Sequence, residues 1–403
     1  MPQERHNYPG RYFPLEEYED RWQRVQDEMA RRDVELAVVW GQTAGNYERA
    51  MEITWLSNHY SEYSGADPDS RAWNARSYGC VILERGKEPE LHADGSAFRP
   101  DLVATSNNHS HMDVVAGVAE SLNGRALDGD IAFVGSDCLP VKYADQLRTA
   151  VPASHFVFDD DLVRACRRIK SPREIDCYRE GAQIVSDALH ILCTGLLAGK
   201  VAAEAVAEAS AEIVRRGGNW HRIPVNFGDT SQFVQRDPTY GFSQDAPREG
   251  DMARFSIDGP IHQGYWFDPC RTLVVGGKPS ADQRSLMEDS YSVVQLILDT
   301  VKPGAKVLDI AKQAEARQQA VTRGEDHAAA MWPMNGHANG MMWEPPFIST
   351  LACDEDEIWE ENMVGGAECF MGWESVGAVG WEQNFIVTAT GTELITTTPV
   401  IWY

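Results

Sequence analysis

The stretch Arg254-Phe-Ser-Ile-Asp-Gly-Pro-Ile-His-Gln-Gly-Tyr-Trp-Phe-Asp-Pro-Cys-Arg-Thr272 constrains the chain most. It reads as a β-hairpin carrying one carboxylate on each strand, Asp258 and Asp268. A half-apolar strand gains nothing from a buried, unpaired carboxylate, so the two acids need a shared cation or other partners. Two solvated loop aspartates are the plain alternative, and the rest of the chain has to decide between them.

With 403 residues the chain is too long for one ordinary core, which predicts two domains. Its 36 Lys and Arg against 61 Asp and Glu give a formal charge of -25, which repels phosphate backbones and anionic lipid surfaces. Nucleic acid and membrane are therefore not expected partners. The N-terminus lacks the apolar core of a signal peptide, and no run approaches the ~18 apolar residues of a membrane helix, so a cytoplasmic location is expected. The eight cysteines include no C-x-x-C pair and are read as reduced and mostly structural.

Leu15 to Arg31 reads as a surface helix with a narrow packed stripe. Short apolar runs at Val34–Trp40, Gly79–Leu83, Ile131–Val134 and His155–Phe158 read as strands, and Tyr143–Val151 as a helix. This alternation predicts an α/β N-terminal domain, residues 1–164. The segment from Asn58 to Trp73 reads as a long loop, either functional or an ordinary surface excursion. Ser171-Pro-Arg-Glu174 is a capping box that opens a long helix near the start of the second domain, residues 165–403. A further amphipathic helix, Lys200 to Arg216, stops at Gly217-Gly218.

The second domain carries a faint internal repeat. Helical sequence from Gly199 to Gly218 is echoed from Ala305 to Gly324, each copy preceded by another helix and followed by strand-like sequence with paired acids. Those acids are Asp258 and Asp268 after the first copy, Glu368 and Glu382 after the second. His337, in Asn335-Gly-His-Ala-Asn-Gly340, lies between the pairs. Four carboxylates and one imidazole suit two divalent ions such as Mn, Fe, Co or Zn. Two such ions about 3.5 to 4 Å apart can hold a water as hydroxide and polarise a carbonyl.

The order Asp258, Asp268, His337, Glu368, Glu382, with Gly264-Tyr265, Arg271-Thr272, Gly336-His337 and Glu344-Pro-Pro346 around it, resembles the creatinase/aminopeptidase P superfamily. The resemblance spans essentially the whole chain. It implies an α/β fold: a creatinase-like N-terminal domain, then a pita-bread catalytic domain of two pseudo-symmetric αα-β halves. It also implies a homodimer and a binuclear centre in which Asp268 and Glu382 bridge, Asp258 binds one ion, and His337 with Glu368 binds the other. Three features depart from the peptidase pattern. The Asp258–Asp268 spacing is one residue short. No histidine stands in Gln235–Phe242 upstream, nor in Met341–Glu344 after His337. Tyr240 or Glu344 is the candidate substitute, and Glu368 or Glu344 is the expected proton shuttle. The spacing and Arg215-Arg-Gly-Gly-Asn-Trp220 are similar to metal-dependent dimethylsulfoniopropionate lyases of the same superfamily.

Trp266, Trp332, Trp343, Trp373 and Trp381 each fall near a candidate ligand. Indole faces attract cations, so these residues either line a pocket for a cationic or zwitterionic substrate or simply pack around a rigid site. The leading expectation is a metal-dependent hydrolase cleaving a C–N bond in a small zwitterionic amide, cyclic amidine or dipeptide. The alternatives are a lyase-type elimination and a catalytically inactive binding protein of the same fold.

Overall fold

In the computed structural model the described residues are 10–42, 49, 51–60, 77–94, 99, 101–125, 129–232, 241–323 and 332–402. The chain divides into two compact units, Met1–Arg168 and Ile169–Tyr403.

The first unit opens with α1 (Leu15–Arg31), whose buried Tyr18, Trp22, Val25 and Met29 recur at helical spacing along one stripe. There follow β1 (Leu36–Gln42), α2 (Met51–Ser57), β2 (Tyr78–Glu84), β3 (Glu90–Asp94), β4 (Asn107–His111) and α3 (Val114–Asn123). The unit ends with β5 (Asp130–Val134), α4 (Val141–Ala150), β6 (His155–Phe158) and α5 (Asp161–Arg167). Six strands form one mixed sheet in the order β4-β3-β2-β1-β5-β6. Its core holds Val38, Trp40, Ile82 and Phe133 from the sheet with Val118, Leu122 and Leu147 from the covering helices. Strands β1, β2, β5 and β6 are the four expected from apolar runs; β3 and β4 lack an unbroken apolar run, so no local signal marks them.

The second unit begins with α6 (Pro172–Leu197), capped as its sequence predicts. Ser171 Oγ accepts the Glu174 N–H at 3.1 Å, and Glu174 Oε2 accepts the Ser171 N–H at 2.8 Å. Helix α7 (Ala202–Arg215) and strands β7 (Val225–Phe227), β8 (Met252–Ser256), β9 (Gly259–His262), β10 (Tyr265–Phe267) and β11 (Cys270–Val274) complete the first half. The second half repeats the plan with α8 (Ala281–Thr300), α9 (Val307–Val321), β12 (Gly336–Asn339), β13 (Trp343–Phe347), β14 (Val364–Trp373), β15 (Gly377–Thr388) and β16 (Gly391–Leu394). A last short strand, β17 (Ile401–Trp402), returns to pair with β11. The sheets run β17-β11-β8-β7 and β13-β12-β14-β15-β16, with β9 and β10 as a separate ribbon. Val293, Val294 and Ile297 of α8 pack on Met371, Val379 and Trp381 of β14 and β15, in a core where each fully buried aliphatic side chain contributes about 1.5–3 kcal/mol.

The opening hairpin is more segmented than its sequence suggests. Strands β8 and β11 pair antiparallel, Ser256 opposite Cys270, while β9 and β10 form the inner ribbon. Gln263 and Gly264 both have positive φ, 51° and 85°, the combination a two-residue type I′ turn requires. Asp258 and Asp268 occupy the two breaks between the outer ladder and the inner ribbon. A break frees a carboxylate from strand alternation, so both can aim the same way.

Candidate metal centre

Each acid is positioned by a different local device. Glu368 and Glu382 face each other in register across β14 and β15. Residues directly opposite in an antiparallel pair share a face, so this ladder delivers two carboxylates side by side. His337, on β12, lies opposite Gly366 of β14. A Cβ at Gly366 would come within 2.5 Å of Glu382 Oε1 and 3.3 Å of His337 Cε1, so only glycine leaves the imidazole and carboxylate room to approach.

The side chains converge. His337 Nε2 lies 3.5 Å from Asp268 Oδ2, 3.6 Å from Glu382 Oε1 and 3.9 Å from Glu368 Oε1. All five candidate ligands are at most 4% exposed. His337 Nε2, Glu368 Oε1 and Glu382 Oε1 are buried without a hydrogen-bond partner. Unsatisfied lone pairs in a dry interior are costly. Donor atoms around one ion with bonds of about 2.0–2.2 Å sit about 3.0–3.6 Å apart, close to the separations here. Asp268, His337 and Glu382 each offer an atom within 4.8 Å of the others. This set is chemically suited to a divalent cation.

Asp268 is the most heavily supported acid. Its Oδ1 accepts Asn384 Nδ2 at 2.7 Å and Asn339 Nδ2 at 3.3 Å, and its Oδ2 accepts the indole N–H groups of Trp266, at 3.2 Å, and Trp343. Burial pushes its carboxyl up, but His337 and hydrogen bonds with Glu382, Asn384 and Trp343 outweigh burial and hold it below the usual carboxylate range. Glu368 and Glu382 are pushed well above that range, by burial first and by neighbouring carboxylates second.

Asp258 differs. Arg222 Nε donates to its Oδ2 at 2.6 Å, and an isolated β-bridge ties the two backbones. Burial raises the Asp258 carboxyl, Arg222 opposes that, and Asp268 adds to it. The Arg222 side chain is 46% exposed and lies over the Trp343 ring at 5.4 Å, so it stands at the entrance as well as at the acid.

A cavity of about 290 Å³ opens onto these acids. Asp258, Asp268, Glu368 and Glu382 line it together with Arg222, Arg254, His221, Asn226 and Cys270, and Trp220, Phe242, Trp332, Trp343 and Phe370 form aromatic walls. Of the five indoles expected around a substrate, Trp332 and Trp343 face this cavity. Trp266 stands behind Asp268 as its hydrogen-bond donor. Trp373 and Trp381 turn the other way, donating to Val321 O at 3.2 Å and Ser290 Oγ at 2.8 Å within the core. Strand alternation is the reason: Trp381 precedes Glu382, so the acid on the cavity side sends the indole to the opposite face.

The same alternation removes Glu344. Trp343 faces the cavity, and Glu344, the next residue on β13, is buried on the other side, where Lys170 Nζ donates to its Oε1 at 2.6 Å. Its expected role as a proton carrier does not fit this placement. Tyr240 lies outside the described residues, as do residues 61–73 of the long loop. The sequence reading missed Arg222, Arg254, Asn384 and His221. His221, in the segment that follows the Gly217-Gly218 stop, brings an imidazole to the cavity wall from upstream of Asp258. Its backbone N–H bonds Asp258 O at 2.8 Å. Cys270 lines the cavity, but burial raises its thiol to about 12, which makes it a poor nucleophile.

Residues 176–389 match the family described as metallopeptidase family M24. The chain is 26% identical over 402 residues to an uncharacterized hydrolase/peptidase, y4tL, of Sinorhizobium fredii, with 96% of each chain covered. It is 26% identical over 341 residues to an ectoine hydrolase of Halomonas elongata, covering 74% of this chain and 75% of that one. The solved structure of an Xaa-Pro dipeptidase from Bacillus anthracis superposes with a TM-score of 0.74 at 18% identity, covering 95% of this chain and 99% of that one.

Proposed function

The chain belongs to metallopeptidase family M24, and from that premise we propose that it is a metal-dependent hydrolase of a C–N bond in a small, carboxylate-bearing amide, cyclic amidine or dipeptide. The observation that carries the reading is the convergence of Asp268, His337 and Glu382, with the unpartnered Glu368 Oε1 beside them. In this reading Asp268, His337, Glu368 and Glu382 hold one divalent ion. A second position is bounded by Asp258 and Asp268, where the Arg222 guanidinium competes for the same carboxylate. Bound Mn, Fe, Co or Zn supplies a Lewis acid that polarises a carbonyl and acidifies water.

The chain's own residues do the rest. The cavity, at the lower end of the range for ligand pockets, favours a small molecule or dipeptide over a long peptide. Arg254, buried beside Phe370 with its guanidinium 5.4 Å from that ring, receives the substrate carboxylate. Trp332 and Trp343 exclude water and orient the apolar part of the substrate. The Glu368 carboxylate, through the oxygen that does not face the ion, takes a proton from the attacking water and returns it to the departing nitrogen, and the His221 imidazole donates to the carbonyl oxygen as it gains charge. Name and fold relatives support hydrolysis in particular: two are a dipeptidase and an ectoine hydrolase.

The test is a panel of Xaa-Pro dipeptides, N-acyl amino acids and ectoine-like rings, assayed with Mn²⁺, Co²⁺ and Zn²⁺ in ¹⁸O-labelled water. Release of an amine with one solvent oxygen in the acid product is expected. An unsaturated acid without solvent oxygen, or turnover that survives complete chelation, would overturn the proposal. His221→Ala should lower kcat by about 10²-fold or more with KM little changed.

A further inference from the structure

Among the described residues a second group of cation-ligand side chains converges, and it belongs to the first unit, not to the centre just described. Strands β3 and β4 run parallel with His92 opposite His109 and Asp94 opposite His111. Alternate residues of a strand share a face, which gathers Glu90 and His92 of β3 with His109 and His111 of β4. The three imidazoles lie nearly parallel, His92 4.6 Å from His109 and 5.1 Å from His111 between ring centroids. Glu90, His92 and His109 each offer one ligand atom within 4.8 Å of the other two.

The second nitrogen of each ring is already engaged. His92 Nδ1 is 2.9 Å from His111 Nε2, and His109 Nε2 is 2.9 Å from Asn107 Oδ1. If His92 Nδ1 carries the proton toward His111, His92 Nε2 presents a lone pair to Glu90 Oε2 at 3.3 Å. Two acceptors at that distance match the edge of a tetrahedron with bonds of about 2.0–2.1 Å, which is about 3.3–3.4 Å. Metal-bound histidines are oriented in this way, by a hydrogen bond on the far nitrogen. Glu90 is fixed in turn by Arg125 and by Ser121 Oγ at 2.9 Å. His111 nests against α3 at Gly117, where a Cβ would lie 2.2 Å from its Nδ1. The packing thus reserves room for the fourth side chain of the cluster.

We propose that Glu90, His92 and His109 form a further cation site for a first-row transition ion, Zn²⁺ foremost, with His111 as the partner that orients His92. Two imidazoles and one carboxylate form a more nitrogen-rich set than the catalytic acids, and zinc suits such a set. The site gives β4 a reason to pair. Asn107-Asn-His-Ser-His111 has no apolar residue and forms an edge of the sheet, so a cation bridging it to β3 supplies the attachment that burial does not.

The experiment titrates Zn²⁺ into the full chain carrying Asp268→Ala and His337→Ala, which removes the other centre. Bound zinc is read by elemental analysis, and hydrogen exchange is followed at residues 107–111. One equivalent of zinc and zinc-dependent protection of β4 are expected. His109→Ala in that background should lose both. His111→Ala should weaken zinc about 10- to 100-fold. His92 is 2% exposed and its replacement risks misfolding, so the exposed-edge variant His109→Ala carries the test. Zinc stoichiometry unchanged by His109→Ala, or no zinc bound by the parent, would overturn the site.

Discussion

Asp268 is the residue on which the centre turns, because it accepts four side-chain donors and faces His337. Asp268→Asn keeps the shape and removes the charge. Metal binding and kcat/KM should fall by more than the about 10- to 100-fold that loss of an outer partner costs; unchanged metal content by elemental analysis would refute the ligand set. Arg222 makes the opposite case. Asp258 is buried but its Arg222 partner is half-exposed, so Arg222→Ala should tighten a second equivalent of Mn²⁺ by only about two- to fivefold in a calorimetric titration. Weaker binding of that equivalent would show that Arg222 does not compete for Asp258. The four acids and the histidine differ sharply from Arg222 in how visible they are in the sequence. An isolated acid in an apolar run announces a need for a partner, whereas an arginine in the polar run Asn219-Trp-His-Arg222 announces nothing.

Among the elements, β13 decides between two readings of one residue. Lys170 and Glu344 are each 1% exposed in their pair, and breaking a buried pair costs about 3–5 kcal/mol. Glu344→Leu should therefore destabilise the fold by that amount in denaturant unfolding, and Lys170→Met added to it should restore most of the loss. A stable Glu344→Gln protein with abolished kcat would return Glu344 to catalysis. The sequence pointed to Glu344 because it lies near His337, but proximity in a strand says nothing about face. Once the register is known, Trp343 and Glu344 separate at once, as do Trp381 and Glu382. The long helices were legible because the capping box and glycine stops are local signals; β3 and β4 were not, because their polar sequences are stabilised by cross-strand partners that no local pattern displays.

Across the whole molecule, the two-half plan of the second unit was readable from its repeated helix pairs, while the meeting point of its acids required long-range pairing. Bringing four buried carboxylates together makes that unit's stability depend on what binds them. At a free-metal concentration of about 100 times Kd the gain is about 2.7 kcal/mol, or roughly 5–10 °C in Tm. Scanning calorimetry with metal and with chelator should show this shift, and coincident transitions would contradict it. The first unit carries a separate dependence on acid. Burial lowers the His59 imidazole to about 4, below its unfolded value of about 6.5. The unfolded chain therefore binds the proton first; this contribution is complete above about pH 6.5 and is lost as pH falls through 4, up to about 3 kcal/mol in all. His59→Gln should flatten that part of the stability profile measured by denaturant at pH 7 and 4.5, and an unaltered slope would assign it elsewhere.

The Glu368–Glu382 rung also acts as a ruler. From it the β14–β15 ladder continues unbroken to Trp373 opposite Gly377, and the turn beyond exposes Glu374 and Ser375. Extra residues placed in that turn leave every rung behind it unchanged, so a peptide tag or fluorophore can be grafted there without disturbing the acids. One residue removed from either strand between the rung and the turn would instead rotate one carboxylate into the apolar core and one core side chain into the cavity.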